Sequence, residues 1–144
     1  MYDILIQRMW DEVTTLGAEE LRTPGEVDAA LPTAKGTMLV VVNSTCGCAA
    51  GAARPALAKA MQHDTIPDKL VTVFAGVDKE ATARAREYFT DQPTSSPSFA
   101  LMRDGKLVQM IHRYQIEGRT PDQFAVTLVQ TFDRYCVSGA RQTT

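Results

Sequence analysis

The chain has 144 residues, the length of one domain, and 17 acidic against 15 basic residues leave a net charge of −2. This balance excludes the strongly basic surfaces with which proteins bind nucleic acid or anionic membranes. No uncharged apolar run approaches the ~20 residues that cross a bilayer. Three cysteines, two of them separated by one residue, do not form the pattern of a secreted disulfide scaffold. We therefore expect one cytoplasmic domain.

Hydrophobic periodicity and turn signals predict the elements in chain order. Two helices come first, over about residues 1–16 and from Thr23 to near Pro32, the second with a capping box from Thr23 to Glu26. The predicted elements that follow are a strand at 37–43, a helix from the cysteines to about 62 with Pro55 inside it, a strand at 70–76, a helix from 78 to 89, strands at 98–103 and 106–111 around an Asp-Gly turn, a loop at 115–119 and a last helix from 120 to 135.

These elements divide the predicted single domain into three parts. Residues 1–36 are an N-terminal helical extension, residues 37–137 form the core, and residues 138–144 are a flexible tail. We find no internal repeat, low-complexity tract or interdomain linker in the sequence.

The most informative stretch joins the first core strand to the helix after it. Consecutive apolar residues at 38–42 predict a strand covered on both faces. Cys46 and Cys48 follow, with Gly47 between them, where a helix begins. The partial positive charge of a helix N-terminus lowers a cysteine pKa from about 8.5 to roughly 3.5–7.5, and the thiolate is the nucleophile. A disulfide between these two cysteines would close a small strained ring, which favours reversible exchange.

From residue 37 the order β-α-β-α-β-β-α, with a thiol pair at the first strand-to-helix junction, is that of the thioredoxin fold. We therefore predict an α/β domain with a central mixed sheet and an N-terminal helical extension. Its functional edge lies beyond the carboxyl end of the first strand.

Pro97, immediately before the third core strand, occupies the place where that fold keeps a cis proline facing the thiols. We expect a cis Ser96–Pro97 bond that turns the backbone of Ser96 toward Cys46 and offers main-chain hydrogen bonds to an extended substrate. The alternative is a proline that only begins a strand. Gly47 and the alanines after it leave the thiols accessible to a protein disulfide, or else they reflect helix propensity and tight packing.

Four segments make a family resemblance specific. They read VVVNSTCGCAAGAARPA at 40–56, VTVFAGVDKEATARAREYF at 71–89, SSPSFAL at 95–101 and IEG at 116–118. Together they resemble the bacilliredoxin family over nearly the whole chain. The resemblance implies a thioredoxin-like fold, removal of bacillithiol from mixed disulfides on cytosolic proteins, and weak disulfide isomerase activity.

By this resemblance Cys46 is the attacking thiol and Cys48 the resolving thiol, although a one-cysteine route, in which another thiol regenerates Cys46, remains open. Ser96, Pro97 and Gly47 are the expected substrate-binding residues, and no cofactor or metal is expected. The positions before the IEG segment often read His-Glu in the family, whereas this chain has Tyr114-Gln115. Proton transfer by a histidine at that position is therefore in doubt.

Other reactive or charged residues receive weaker interpretations. Cys136 is expected to be a structural thiol, with an auxiliary redox role as the alternative. His63 and His112 are assigned no role, because neither is near the cysteines in sequence. Arg54 is interpreted as a solvated helix residue, with attraction of an anionic thiol as the alternative.

Two other classes of function remain open. A metal or cluster carrier could use Cys46, Cys48, Cys136 and one histidine, although one residue between thiolates is not the usual zinc spacing. A thioredoxin-like binding module could carry its cysteines incidentally.

Overall fold

The computed structural model describes residues 4–44, 52–89, 92 and 96–136. The predicted thiol pair at 46–48 and tail at 138–144 lie outside these ranges. The elements are α1 (Ile4–Thr14), β1 (Glu19–Glu20), α2 (Pro24–Ala30), β2 (Thr37–Asn43), α3 (Arg54–Ala60), β3 (Lys69–Phe74), α4 (Lys79–Glu87), β4 (Ser98–Arg103), β5 (Lys106–Ile111), α5 (Arg113–Ile116) and α6 (Pro121–Tyr135).

The strands form one mixed sheet in the order β1-β3-β2-β4-β5. β2 lies at its centre, parallel to β3 and antiparallel to β4. Val42 is opposite Val73 on one side and Ser98 on the other. The carboxyl end of β2 is therefore level with the amino end of β4, and the predicted mixed sheet is confirmed.

β2 is buried over its whole length, as its unbroken apolar run predicts. Leu39 and Val41 belong to the core that contains residues of α3 and α6. Val40 and Val42 belong to the core that contains residues of α2 and α4. Because successive side chains of a strand point to opposite faces, this one strand helps to fill both cores.

The Asp-Gly turn between β4 and β5 is confirmed in position and geometry. Asp104 and Gly105 have φ values of 51° and 82°, as a type I′ hairpin turn requires. The backbone N–H of Gly36 donates to Oδ1 of Asp104 at 2.8 Å, and the backbone N–H of Asp104 donates to the carbonyl of Gly36 at 2.9 Å. These bonds hold the hairpin against the start of β2.

Three local features differ from the prediction. The edge strand β1 was not predicted, because its two glutamates have no apolar alternation. It forms because its backbone pairs with β3. The predicted loop at 115–119 overlaps the short helix α5. Pro55 lies in the first turn of α3, where its missing N–H removes no helical hydrogen bond, and a wider π-type turn at Ala52 and Ala53 precedes it.

Among the residues that the structure describes, no helix combines the length and apolar character needed to span a membrane.

Two glycine-to-alanine substitutions are expected to change stability in opposite directions. Gly105→Ala places a side chain at positive φ and a Cβ 2.9 Å from the carbonyl oxygen of Pro32, so it should lower the free energy of unfolding by about 2 kcal/mol. Gly25→Ala, in exposed helix α2 with no atom nearer than 3.9 Å, should raise it by roughly 0.5–1 kcal/mol. Urea unfolding of both variants measures the difference. Equal effects of the two substitutions would contradict the turn geometry.

A polar cluster joins α2 to α4 on the face of the sheet that packs against these two helices. Nε of Arg84 donates to Oδ1 of Asp28 at 2.6 Å, and the Tyr88 hydroxyl donates to the same oxygen at 2.7 Å. The hydrogen bond from Arg84, with that from Tyr88, lowers the pKa of the Asp28 carboxyl below its usual value. The hydrogen bond to Asp28 raises the pKa of Tyr88.

The lowered pKa of Asp28 makes a stability contribution that exists above the pKa of an unfolded aspartate, about 3.9, and disappears as the pH falls through the folded value. Asp28→Asn should therefore reduce the free energy of unfolding at pH 7, and the gap to the wild type should narrow as the pH falls below about 4. Urea unfolding at a series of pH values measures this gap. A gap that stays constant as the wild type is acidified below about pH 4 would contradict the assigned pKa direction.

Candidate active site

The end of β2 and the start of β4 are neighbours at the point where the chain continues toward the cysteines. Val42 near the end of β2 is opposite Ser98 at the start of β4, so the two backbones lie about 4.8 Å apart there. Ser44 follows β2 and is buried. Cys46, Gly47 and Cys48 come two to four residues later and lie outside the described ranges. The structure thus describes the strand ends next to the segment that carries the thiol pair.

The peptide bond between Ser96 and Pro97 is cis, which confirms the prediction from the sequence. Pro97 is buried, and Ser98 next to it is completely inaccessible to solvent. The register of β4 against β2 brings this proline to the edge from which the cysteine segment continues. The cis bond and the end of β2 therefore lie side by side.

A buried arginine closes the end of β2. Arg54 in the first turn of α3 is 4% exposed. Its Nη1 donates to Oδ1 of Asn43 and to the carbonyl oxygen of Ser44, both at 2.9 Å, and its Nε donates to Oε1 of Glu12 at 2.9 Å. The interpretation of Arg54 as a solvated helix residue is therefore wrong. A helical pattern shows that the residue lies on α3, but it cannot show that strand and helix ends converge on its side chain.

Asn43 is the second polar anchor of this edge. Its Nδ2 donates to the carbonyl oxygen of Met9 at 3.1 Å, and its Oδ1 accepts the backbone N–H of Ser44 at 2.8 Å. Its own carbonyl oxygen accepts the N–H of Ala75 at 3.0 Å. One side chain thus joins α1, β2 and α3, and its backbone links β2 to the segment after β3.

The N-terminal helix packs beside this network through Trp10, which is completely buried. The indole contacts the ring of Phe74 edge-on with centroids 5.1 Å apart, and the Arg22 guanidinium lies 4.4 Å from the indole centroid. Trp10 therefore packs α1 against the end of β3. Beyond the end of β3, burial raises the pKa of Asp78, although the charge of Arg22 acts to lower it.

His112 reaches the same edge, although sequence reasoning gave it no role. Ile111 at the end of β5 is opposite Phe99, so His112 follows at the level of Ser98 and Pro97. His112 is 5% exposed, and its Nε2 lies 2.8 Å from Oε1 of Gln92. The antiparallel hairpin register, read from the Asp-Gly turn, was the sequence signal that could have placed it here.

Tyr114 covers this histidine from the solvent side. The two rings are stacked with centroids 5.6 Å apart and an interplanar angle of 10°, and Tyr114 is 69% exposed. Oε1 of Gln115 accepts the backbone N–H of His112 at 2.9 Å. Tyr114 and Gln115, where the chain departs from the family pattern, therefore hold a histidine that directly follows β5 instead.

Cys136 and His63 lie at the opposite end of the sheet. Nη2 of Arg103, which is opposite Thr37 at the start of β2, donates to the carbonyl oxygen of Tyr135 at 2.7 Å. His63 Nε2 lies 2.8 Å from Oδ1 of Asp133 in the same part of α6.

The length of β2 separates this end from the cysteine segment. The seven residue steps from Thr37 to Ser44 rise about 23 Å, whereas Cys46 lies two residues beyond Ser44. Cys136 therefore lies near the end of β2 opposite to the end from which the chain continues to the cysteines, and its part in the four-ligand metal site suggested from the sequence stays a prediction, because Cys46 and Cys48 lie outside the described residues. Its 5% exposure within the core of α3 and α6 confirms the structural interpretation.

Comparison with known structures agrees with this architecture. The chain is similar to the thioredoxin of Fasciola hepatica, with a TM-score of 0.57, 21% identity, and coverage of 81% of this chain and 98% of the other. It is also similar to mitochondrial thioredoxin 3 of Saccharomyces cerevisiae in the oxidized form, with a TM-score of 0.57, 20% identity, and coverage of 85% and 98%. The fold is therefore the thioredoxin fold, as predicted.

Sequence comparison gives the family. A family profile described as disulphide isomerase matches residues 2–136. A bacilliredoxin of Geobacillus kaustophilus is 56% identical over 136 residues, which cover 94% of this chain and 93% of that protein. A bacilliredoxin of Koribacter versatilis is 52% identical over 138 residues, which cover 96% and 95% of the two chains. The chain therefore belongs to the bacilliredoxin family and is a thiol-disulfide oxidoreductase.

Proposed function

We propose that this protein reduces mixed disulfides between cytosolic proteins and the low-molecular-weight thiol bacillithiol. Cys46 is the attacking thiol and Cys48 the resolving thiol. The observation that carries this proposal is that the end of β2, from which the chain continues to the cysteines, lies beside the cis Ser96–Pro97 bond at the start of β4. The similarity to bacilliredoxins over more than nine-tenths of the chain supports bacillithiol as the thiol removed.

The reaction begins with the thiolate of Cys46. It attacks the bacillithiol sulfur of the mixed disulfide, a new sulfur–sulfur bond forms, and the client leaves as a thiolate that takes up a proton. Cys48 then loses its proton and attacks the sulfur of Cys46, which expels bacillithiol. The client gains two electrons, and the protein is left with a Cys46–Cys48 disulfide that an external thiol reductant must reduce.

A one-cysteine route balances equally well. A second molecule of a low-molecular-weight thiol attacks the adduct on Cys46, forms a symmetrical disulfide and releases the Cys46 thiolate. Cys48 is dispensable in this route. When the second thiol is present, the adduct on Cys46 therefore persists in Cys48→Ser only if the two-cysteine route operates.

The client is held, in this proposal, by the backbone beside the thiols. Main-chain groups of Ser96 pair with an extended client segment, as in strand addition. Pro97 cannot donate a hydrogen bond and begins β4, while Gly47 leaves space for the client between the two cysteines. Both edges of β4 are already paired within the sheet, so a client strand has no free edge of β4 to bind. The segment before β4 is therefore the place where a further strand can pair.

Disulfide isomerase activity is a second candidate, favoured by the description of the matching family profile. It needs the same attack by Cys46, directed at a disulfide within a protein instead of a mixed disulfide. Resolution by a client thiol then returns Cys46 to its reduced form without net oxidation. The binding-module alternative predicts neither activity.

The Cys48→Ser variant should accumulate a bacillithiol adduct on Cys46, because it lacks the resolving thiol. The measurement is mass spectrometry of the intact and digested protein after mixing with a client that carries bacillithiol. The expected result is a near-stoichiometric adduct together with released client thiol, whereas the wild type proceeds to the internal disulfide. Cys136→Ser is the matched control, because its thiol lies at the other end of the sheet, and it should behave like the wild type.

The same experiment can reject the assignment. An adduct on Cys48 in Cys46→Ser, with none on Cys46 in Cys48→Ser, would reverse the two roles. If the client keeps its bacillithiol with the wild type and with every variant, mixed-disulfide reduction is rejected. Metal analysis of protein purified without chelator would then test the carrier alternative.

A further inference from the structure

We propose that Arg54 is a positioning residue for the thiol pair: its buried guanidinium fixes the end of β2 from which the chain continues to the cysteines, and its positive charge at that strand end favours the thiolate of Cys46. Arg54 lies in the segment at 40–56 that resembles the family, but the sequence interpretation of it as a solvated helix residue assigned it no positioning role. The inference rests on the proposed role of Cys46 as attacking thiol, and it adds the residue that prepares Cys46 for that role.

The burial of Arg54 is the first argument. Its side chain is 3% exposed, whereas Lys59 on the same helix is 55% exposed and pairs with Asp122 at the surface. Arginine is almost never fully buried unless its charge is paired. A buried guanidinium with three near-ideal acceptor contacts is therefore held in one orientation by the surrounding structure.

The guanidinium contacts the backbone just before the cysteines. Nη1 donates to the carbonyl oxygen of Ser44 at 2.9 Å, and this oxygen belongs to the peptide bond between Ser44 and Thr45. Consecutive Cα atoms are about 3.8 Å apart, so covalent geometry keeps the Cα of Cys46 within about 7.6 Å of that of Ser44. Arg54 thus holds the last described peptide before the attacking cysteine.

The third argument is that this contact is shared with the end of β2. The same nitrogen donates to Oδ1 of Asn43, which also accepts the N–H of Ser44. The guanidinium and the amide side chain therefore fix both the carbonyl and the N–H direction at this point. A small rotation of this peptide would displace every atom after it, including the sulfur of Cys46.

The fourth argument concerns the charge. Among the residues that the structure describes, Glu12 is the carboxylate that pairs with Arg54, through Nε at 2.9 Å, and the neighbouring groups from β2 are the uncharged Asn43 and Ser44. The Glu12 side chain is 48% exposed against 3% for Arg54. Water screens the exposed carboxylate more strongly than the buried cation, so the inward side of the pair carries a net positive field. A positive charge near a thiol favours the thiolate.

Charge substitutions at the two ends of this ion pair should move the pKa of the Cys46 thiol in opposite directions. Arg54→Met should raise it, so that alkylation is about tenfold slower below the wild-type pKa and unchanged well above it. Glu12→Gln should lower it, because the glutamine oxygen still accepts from Nε of Arg54 while the screening anion is gone. Arg54→Lys, which keeps the charge, should lie between Arg54→Met and the wild type.

The measurement is the rate of iodoacetamide modification at Cys46 against pH, resolved by mass spectrometry, with all variants in a Cys48→Ser background. Lys59→Met, which removes an exposed cation from the same helix, is the matched control and should leave the profile unchanged. Circular dichroism and thermal unfolding identify any variant that does not fold. If Arg54→Met does not fold, Glu12→Gln decides: a lowered pKa supports the inference, and an unchanged or raised pKa overturns it.

The outcomes separate this inference from the proposed function. A purely structural arginine predicts that Arg54→Met and Glu12→Gln shift the Cys46 pKa in the same direction or not at all, and either result overturns the inference. Failure of the wild type to release a bacillithiolated client, by contrast, is a failure of the proposed function. A wild type that is active while both folded charge variants keep its pKa contradicts the role of Arg54 alone.

Discussion

The structure depends on the burial of one strand. β2 contributes apolar side chains to both cores and pairs with a neighbour on each edge, so its position is determined from four directions. A buried strand end must satisfy its polar groups without water. Asn43 and Arg54 supply the partners at this end, and they connect it to α1 through Met9 and Glu12. The burial that stabilises the fold thus also fixes where the cysteine segment begins.

Two neighbouring features lie beside this strand end. The cis Ser96–Pro97 bond lies at the start of the adjacent strand, and His112 follows the next strand over, where Gln92 and Tyr114 hold it. Sheet register alone brings these three strand ends together, although Ser96 lies 52 positions after Ser44 and His112 a further 16 positions along the chain. The N-terminal helix contributes the counterion of Arg54, so a part of the chain outside the β-α-β-α-β-β-α core takes part in the site.

Short-range signals were sufficient for much of this architecture. β2, β4 and β5 have the predicted bounds, because an apolar run or an Asp-Gly turn delimits each, and the capping boxes at Thr23 and Thr120 mark the starts of α2 and α6. Long-range contacts account for the errors. β1 exists only through its pairing with β3, Arg54 is buried because a strand end and α1 meet it, and His112 reaches the site through the hairpin register. None of these contacts leaves a periodic trace in the residues that make them.

The proposed function requires that thiol-disulfide exchange at Cys46 removes bacillithiol from client proteins. The rate of client thiol release tests this requirement when one client is presented as its bacillithiol mixed disulfide or as its glutathione mixed disulfide. We expect rapid release from the bacillithiol form by the wild type, slower release from the glutathione form, and loss of both with Cys46→Ser. Equal release by the wild type and Cys46→Ser would contradict the proposed function.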